Sequence, residues 1–268
     1  MDINYWSQDK VSFECGHQDA WRKNLKKIYE NLLLRWQVSS KNAFVLKTDL
    51  FDEAQTDHGL IPLVSNSSGR FIGMDLSFNV AARAREKLKC VGTICDVVTS
   101  DAKDLAFESN SFDLVLSTST LDHFLKKEDI LKSLLEISRV LKPRGVLIIT
   151  LDNISNPIIK LRSVLSYTFL KSTKIVSYFV GKSLSMKELI KMLESCGFRV
   201  CESVYIDHNP RYFSVRIGSF LQRSGFKKLE RVFQETLWRF EGLRNTPLRS
   251  LTGYFIAVKA LKKEGSYA

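Results

Sequence analysis

Between Ala43 and Asn153 the chain alternates short apolar runs with longer amphipathic stretches, and that rhythm restricts its fold more than any single motif does. The runs AFVLKTDL, RFIGMDL, TICDVVTSD, SFDLVLSTST and GVLIITLDN each read as a strand or contain one. Between them, Asn79–Lys89 and Lys126–Leu141 have helical spacing, SNSSG is a turn before the second strand, and KPRG is a turn before the fifth. Strands alternating with helices predict parallel pairing through right-handed crossovers. Farther on, Ser185–Cys196 reads as a helix ended by Gly197. FRVCESVYI and LTGYFIAVKAL then supply two late strands around a largely helical stretch, His208–Ser250. The expected product is one α/β domain with a doubly wound, mostly parallel sheet of seven strands.

Ahead of this pattern, Trp21, Leu25, Ile28, Leu32 and Trp36 recur at helical spacing, with Arg22, Lys23, Lys26 and Lys27 expected on a basic outer face. The helix is expected to cover one side of the core; the alternative is that it flanks a substrate pocket. The opening MDINYWSQDK lacks the basic start and apolar run of a secretory leader, and no window is apolar enough for a spanning helix. Cys15, Cys90, Cys95, Cys196 and Cys201 are odd in number and hold no CxxC pair. They read as reduced thiols in a cytoplasmic protein, with neither a disulfide framework nor a metal site.

In such a sheet, ligands sit beyond the carboxyl ends of the strands near the switch point. Polar residues gather there: Asp49, Asp75, Asp101, then Ser117, Thr118 and Ser119, then Asp152 and Asn153. A carboxylate at Asp75 can accept both hydroxyls of a ribose, and the rival reading makes it part of a helix cap. Asp101 can accept the exocyclic amine of an adenine, with Ala102 offering its backbone N–H, or it is a turn aspartate.

The run SDAKDLAFESNSFDLVLSTSTLDHF resembles the segment of small-molecule class I S-adenosylmethionine-dependent methyltransferases that reads acidic residue, Leu-Pro-Phe, Ser-Phe-Asp, then a strand. ISRVLKPRGVLIIT is similar to the helix, turn and strand that follow in that family, and FIGMDLS to its ribose-binding strand end. The resemblance covers residues 43 to 153 and implies a Rossmann-like fold, the two late strands matching its extra antiparallel pair with an antiparallel last strand, and S-adenosyl-L-methionine as cofactor. It implies a helical extension over 1–42 and a methyltransferase domain over 43–268 with insertions near 155–182 and 208–250. It places Asp75, Leu76, Asp101, Ala102 and Ser117 around the cofactor.

Where the family has a glycine-rich loop after the first strand, this chain has LKTDLFDEA, with no glycine before Gly59. Side chains at Asp49, Leu50 and Phe51 are therefore expected to crowd the space beside the methionine moiety. The phrase resembles a variant loop, Lys-Thr-Asp-Leu-Phe, and on that reading Lys47, Thr48 and Asp49 line the cofactor. The rival reading is a non-catalytic scaffold.

Methyl transfer needs an aligned acceptor more than acid–base machinery, yet deprotonating a hydroxyl or amine calls for a base. Asp122 and His123, just beyond the fourth strand, are the candidates, and His58 beside the loop is another. STST replaces the Asn/Asp-Pro-Pro-Tyr/Phe pattern of enzymes that methylate amino groups of bases, and no Pro-Cys dipeptide is present. The expected partner is a small-molecule methyl acceptor. A nucleic acid is the less favoured alternative, prompted by 40 Lys+Arg against 29 Asp+Glu and by nine Lys and Arg against three Glu within 211–249. The stretch Pro157–Val180, with Ile158, Leu161, Leu165, Phe169 and Leu170 on one supposed helical face, reads as a lid over the acceptor, a packed helix, or a peripheral membrane contact.

Overall fold

Strands β1 (Phe44–Lys47), β2 (Arg70–Asp75), β3 (Asp96–Thr99), β4 (Phe112–Thr118), β5 (Leu141–Asp152), β6 (Phe198–Ile206) and β7 (Phe255–Lys262) build one sheet. In a computed structural model, which describes residues 19–38, 42–56, 59–64, 69–165, 170 and 181–265, their order is β3-β2-β1-β4-β5-β7-β6. The pairs among β1 to β5 are parallel, and β7 runs antiparallel between β5 and β6. This is the Rossmann-like sheet expected from the rhythm of the chain. Its order reverses between β1 and β4, so a crevice opens at their carboxyl ends.

Burial on both faces explains why the strands read as nearly continuous apolar runs. Leu46, Val115, Leu147 and Ile149 point into one core with Ile130, Leu134 and Ile137 of α5 (Lys127–Val140) and Leu189 and Leu193 of α7 (Met186–Ser195). Their chain neighbours Val45, Leu114, Leu116 and Ile148 point into the other, against Trp21, Leu25, Ile28 and Leu32 of α1 (Asp19–Arg35). Each such Leu or Ile contributes about 1.5–3 kcal/mol when fully buried. Two of the helices start where side chains accept their free N–H groups. Ser77 accepts from Val80 ahead of α4 (Phe78–Cys90), and Ser185 and Glu188 form a reciprocal capping box on α7.

Shorter helices fill the connections: α2 (Phe51–Gln55) and α3 (Ile61–Val64) follow β1, and α6 (Pro157–Val164) follows β5. Between β6 and β7 lie α8 (Arg211–Ser224), α9 (Lys227–Arg239) and α10 (Arg249–Thr252). Among the described residues no helix is long and apolar enough to cross a membrane, and no group of three His, Cys, Asp or Glu is placed to hold a metal.

Three expectations are corrected. KPRG does not precede β5 but bulges within it: pairing steps from Phe112–Leu141 to Leu114–Val146, Arg144 takes a φ of +63°, and Lys142 reaches the Asp113 carboxylate at 2.8 Å. Arg22 is not on an outer face but buried, paired with Asp52 of α2. The single helical face proposed over Pro157–Val180 fails because α6 ends at Val164, Leu165 is extended, and Ile158 and Leu161 are exposed. His58 and Phe169 lie outside the described residues.

Candidate functional site

The crevice is divided into two clefts. The first, a cleft of about 490 Å³ that is open to solvent, is bounded by the ends of β1, β2 and β3 and includes Thr48, Asp49, Asp75, Leu76, Asp101 and Ala102. The segment after β1 forms its edge without a glycine. Leu50 does not crowd the cleft as expected; it turns inward and is fully buried beside Gly73 of β2. A Cβ at Gly73 would come within 2.5 Å of the Leu50 methyl. The missing loop glycine is thus answered by a glycine on the neighbouring strand.

The same segment is fixed from below. Lys47, buried at the end of β1, donates to the Glu53 carboxylate at 3.0 Å and to the Asp49 carbonyl. Burial pulls the Lys47 pKa down, but the charges of Glu53 and Asp49 more than offset it, leaving the ammonium above its ordinary value. Glu53 also accepts from the N–H groups of Leu60 (2.9 Å) and Ile61 (3.1 Å), the latter opening α3. Asp75 ties the loop to β2, accepting from Leu50 N at 3.1 Å and from Ser77 N at 2.8 Å.

Two carboxylates therefore face one pocket. Burial, reinforced by the negative charge of Asp49, pushes Asp75 up to about 7. Burial also raises Asp49, against the pull of Lys47. A pocket that holds acids at this cost is relieved by a cationic ligand.

The second cleft lies on the α1 side and includes Trp21, Tyr29, Ser119, Asp122, Asp152 and Arg211. Asp122 is fully buried, its Oδ1 has no hydrogen-bond partner among the described residues, and burial and Asp152 push it up to about 7. Asp152 is paired with Arg162, which also donates to the Tyr254 hydroxyl at 2.9 Å. The Tyr29 hydroxyl meets Thr150 Oγ1 at 3.0 Å, and burial raises its pKa. Arg211 stacks on Trp21, 3.9 Å from the ring centre, while the indole N–H donates to Asp207 at 3.0 Å. Asp49, Phe51 and His123 line both clefts and form the wall between them.

Of the candidates from sequence, Thr48, Asp49, Asp75, Leu76, Asp101, Ala102 and His123 meet in the first cleft and Asp122 in the second. Lys47 and Ser117 line neither: Lys47 is spent on Glu53, and Ser117 is wholly buried. Tyr29 was not singled out from sequence. Trp21 was read as packing on a helix whose alternative role was to flank a pocket, and Arg211 as one of the basic residues of 211–249; both line the second cleft.

Comparison with known proteins bears on what the clefts do. The profile of a methyltransferase domain family matches residues 58–149. A protein named probable methyltransferase ltbC, from Aspergillus luteorubrus, is 36% identical over 88 residues, 30% of this chain and 31% of that protein. A ubiquinone/menaquinone biosynthesis C-methyltransferase of Haemophilus ducreyi is 29% identical over 179 residues, 61% of this chain and 64% of the relative. The chain thus spans about a third to under two thirds of the length of these relatives. The crystal structure of a putative sarcosine dimethylglycine methyltransferase from Galdieria sulphuraria superposes with a TM-score of 0.61 at 16% identity, covering 90% of this chain and 86% of that one, which establishes the shared fold.

Proposed function

We propose that this chain, which carries a class I S-adenosylmethionine-dependent methyltransferase domain, transfers a methyl group to a small amphipathic acceptor seated in the second cleft. The observation that carries this reading is that Asp49, Phe51 and His123 line both clefts, so the two adjoin across these side chains. Transfer between two ligands needs such a junction, because the reacting atoms must approach to about 3–3.5 Å in line.

The residues of the first cleft suit the cofactor. Asp75 stands where a carboxylate accepts ribose hydroxyls, and Asp49 suits the amino group of the methionine portion. Leu76, Val80 and Ala102 offer apolar walls for a purine. When bound, S-adenosylmethionine supplies a methyl group on a sulfonium that leaves as neutral S-adenosylhomocysteine. On the acceptor side, Trp21 and Phe255 give an apolar seat, and Asp122, which lines the same cleft, is the group we assign to take a proton from an acceptor hydroxyl. An aromatic acceptor of the quinone class, the class named for the quinone-biosynthesis relative, fits a cleft whose polar lining is interrupted by Trp21 and Phe255 and where one oxygen of Asp122 has no partner among the described residues.

Isothermal titration with S-adenosylmethionine and S-adenosylhomocysteine tests this reading. Both should bind, and Asp75→Ala should weaken them by about 1.5–3 kcal/mol, the range for hydrogen bonds to a charged group. Absence of binding by the parent protein would leave a scaffold without a cofactor.

A further inference from the structure

Helix α8 has two apolar stripes where a solvated surface helix needs one. Ser214, Gly218 and Leu221 face inward; Gly218 lies so close to Ala20 of α1 that an added Cβ would come within 2.6 Å. Phe213, Ile217 and Phe220 recur at the same spacing on another face and are 61%, 44% and 65% exposed. The chain then turns at Gly225, whose φ of +69° suits glycine, and Phe226, Leu229 and Val232 continue the exposed apolar surface into α9. Arg216, Arg223, Lys227, Lys228 and Arg231 are interleaved with it and exposed. Helix α8 contains no acidic residue, and α9 contains Glu230 and Glu235.

We infer that the α8–α9 hairpin docks on the surface of an anionic lipid bilayer. An apolar surface of this kind marks an interaction site, and the charge around it selects the partner. Phosphate contacts with a nucleic acid use the cations, but Ile217, Leu229 and Val232 gain nothing from them, since aliphatic side chains do not stack on bases. A bilayer rewards both sets, the apolar residues entering the acyl boundary and the basic ones meeting anionic headgroups. Arg211, the first residue of α8, lines the second cleft, and a helix of this length spans about 21 Å. The hairpin turn and the acceptor cleft thus lie at opposite ends of one rod. The inference does not depend on methyl transfer, because it concerns attachment alone.

Co-sedimentation of the full chain tests it, with vesicles of phosphatidylglycerol and phosphatidylcholine in equal parts, vesicles of phosphatidylcholine alone, and a single-stranded RNA. The protein should pellet with the anionic vesicles and largely not with the neutral ones, and added salt should weaken the binding. Phe220→Ser with Phe226→Ser should lower the partition coefficient by at least about tenfold, since each removes a ring from the apolar boundary. Lys227→Glu with Lys228→Glu should do likewise on anionic vesicles. These residues are exposed, so unfolding temperatures should match the parent. Equal pelleting of the Phe220→Ser/Phe226→Ser protein, or binding to the RNA but to no vesicle, would overturn the inference.

Discussion

The Lys47 ammonium stands 3.0 Å from the Glu53 carboxylate, and both side chains are sealed from water. Glu53 spends its other oxygen on Leu60 and Ile61, so one buried acid holds both ends of the segment that presents Asp49. Removing one partner of a buried pair strands the other. Glu53→Ala is expected to cost about 3–5 kcal/mol, read from urea unfolding. A loss below about 1 kcal/mol would mean that the loop stands without its anchor.

Gly73 and Leu50 should behave as one unit. Gly73→Ala drives a methyl into the wholly buried Leu50 side chain, an overpacking expected to cost about 1–3 kcal/mol. Adding Leu50→Ala opens the space and should recover part of that loss, so the double-mutant cycle should show coupling above about 0.5 kcal/mol. Simple additivity would show that the two positions do not share the space.

The unliganded protein should lose stability as pH rises from about 5 to about 8. Burial pushes Asp75, Asp122 and Glu241 up to about 7 and Asp207 to about 6. Each holds its proton more tightly folded than unfolded, so the stability it contributes is complete below the ordinary carboxylate range and is lost as pH passes its raised value. His208, lowered by burial, opposes this near its ordinary value. Glu188, held down to about 2 by Lys127, acts only at lower pH. Unfolding midpoints should fall across the window, less steeply in Asp122→Asn. A midpoint that rises would show these acids already ionised in the folded chain.

Asp122→Asn should separate chemistry from cofactor binding. Once an acceptor is identified, turnover should drop by about a hundredfold or more, while affinity for S-adenosylmethionine stays within about twofold. In the parent, kcat should rise with pH through about 7, because the proton-accepting form is the carboxylate, and that rise should vanish in the variant. A variant that keeps both rate and profile would remove Asp122 from the reaction.

The sheet was legible because its central strands β1, β4, β5 and β7 are buried on both faces, which leaves long apolar runs, and because Asp75 and Asp101 follow strand-like runs. Arg22 was misread because a helical periodicity marks a residue as facing the core or not; it cannot show that Asp52 waits there with a charge. The role of Gly73 was hidden, since its need for space comes from a residue on another strand. The second cleft draws on Trp21, Tyr29, Asp122, Asp152 and Arg211, which are far apart along the chain and share no motif. Only tertiary packing assembles them.

Asp49, Phe51 and His123 face two chambers at once, so at these three positions neither chamber can be edited alone. On the reading proposed above, a change at Phe51 meant to admit a bulkier acceptor in the second chamber alters the first with the same atoms. Where a glycine loop bounds the donor pocket, backbone does that work and leaves side chains free to vary. Here, laboratory evolution toward new acceptors should travel outward, through Trp21, Tyr29 and Arg211, which line the second chamber but not the first.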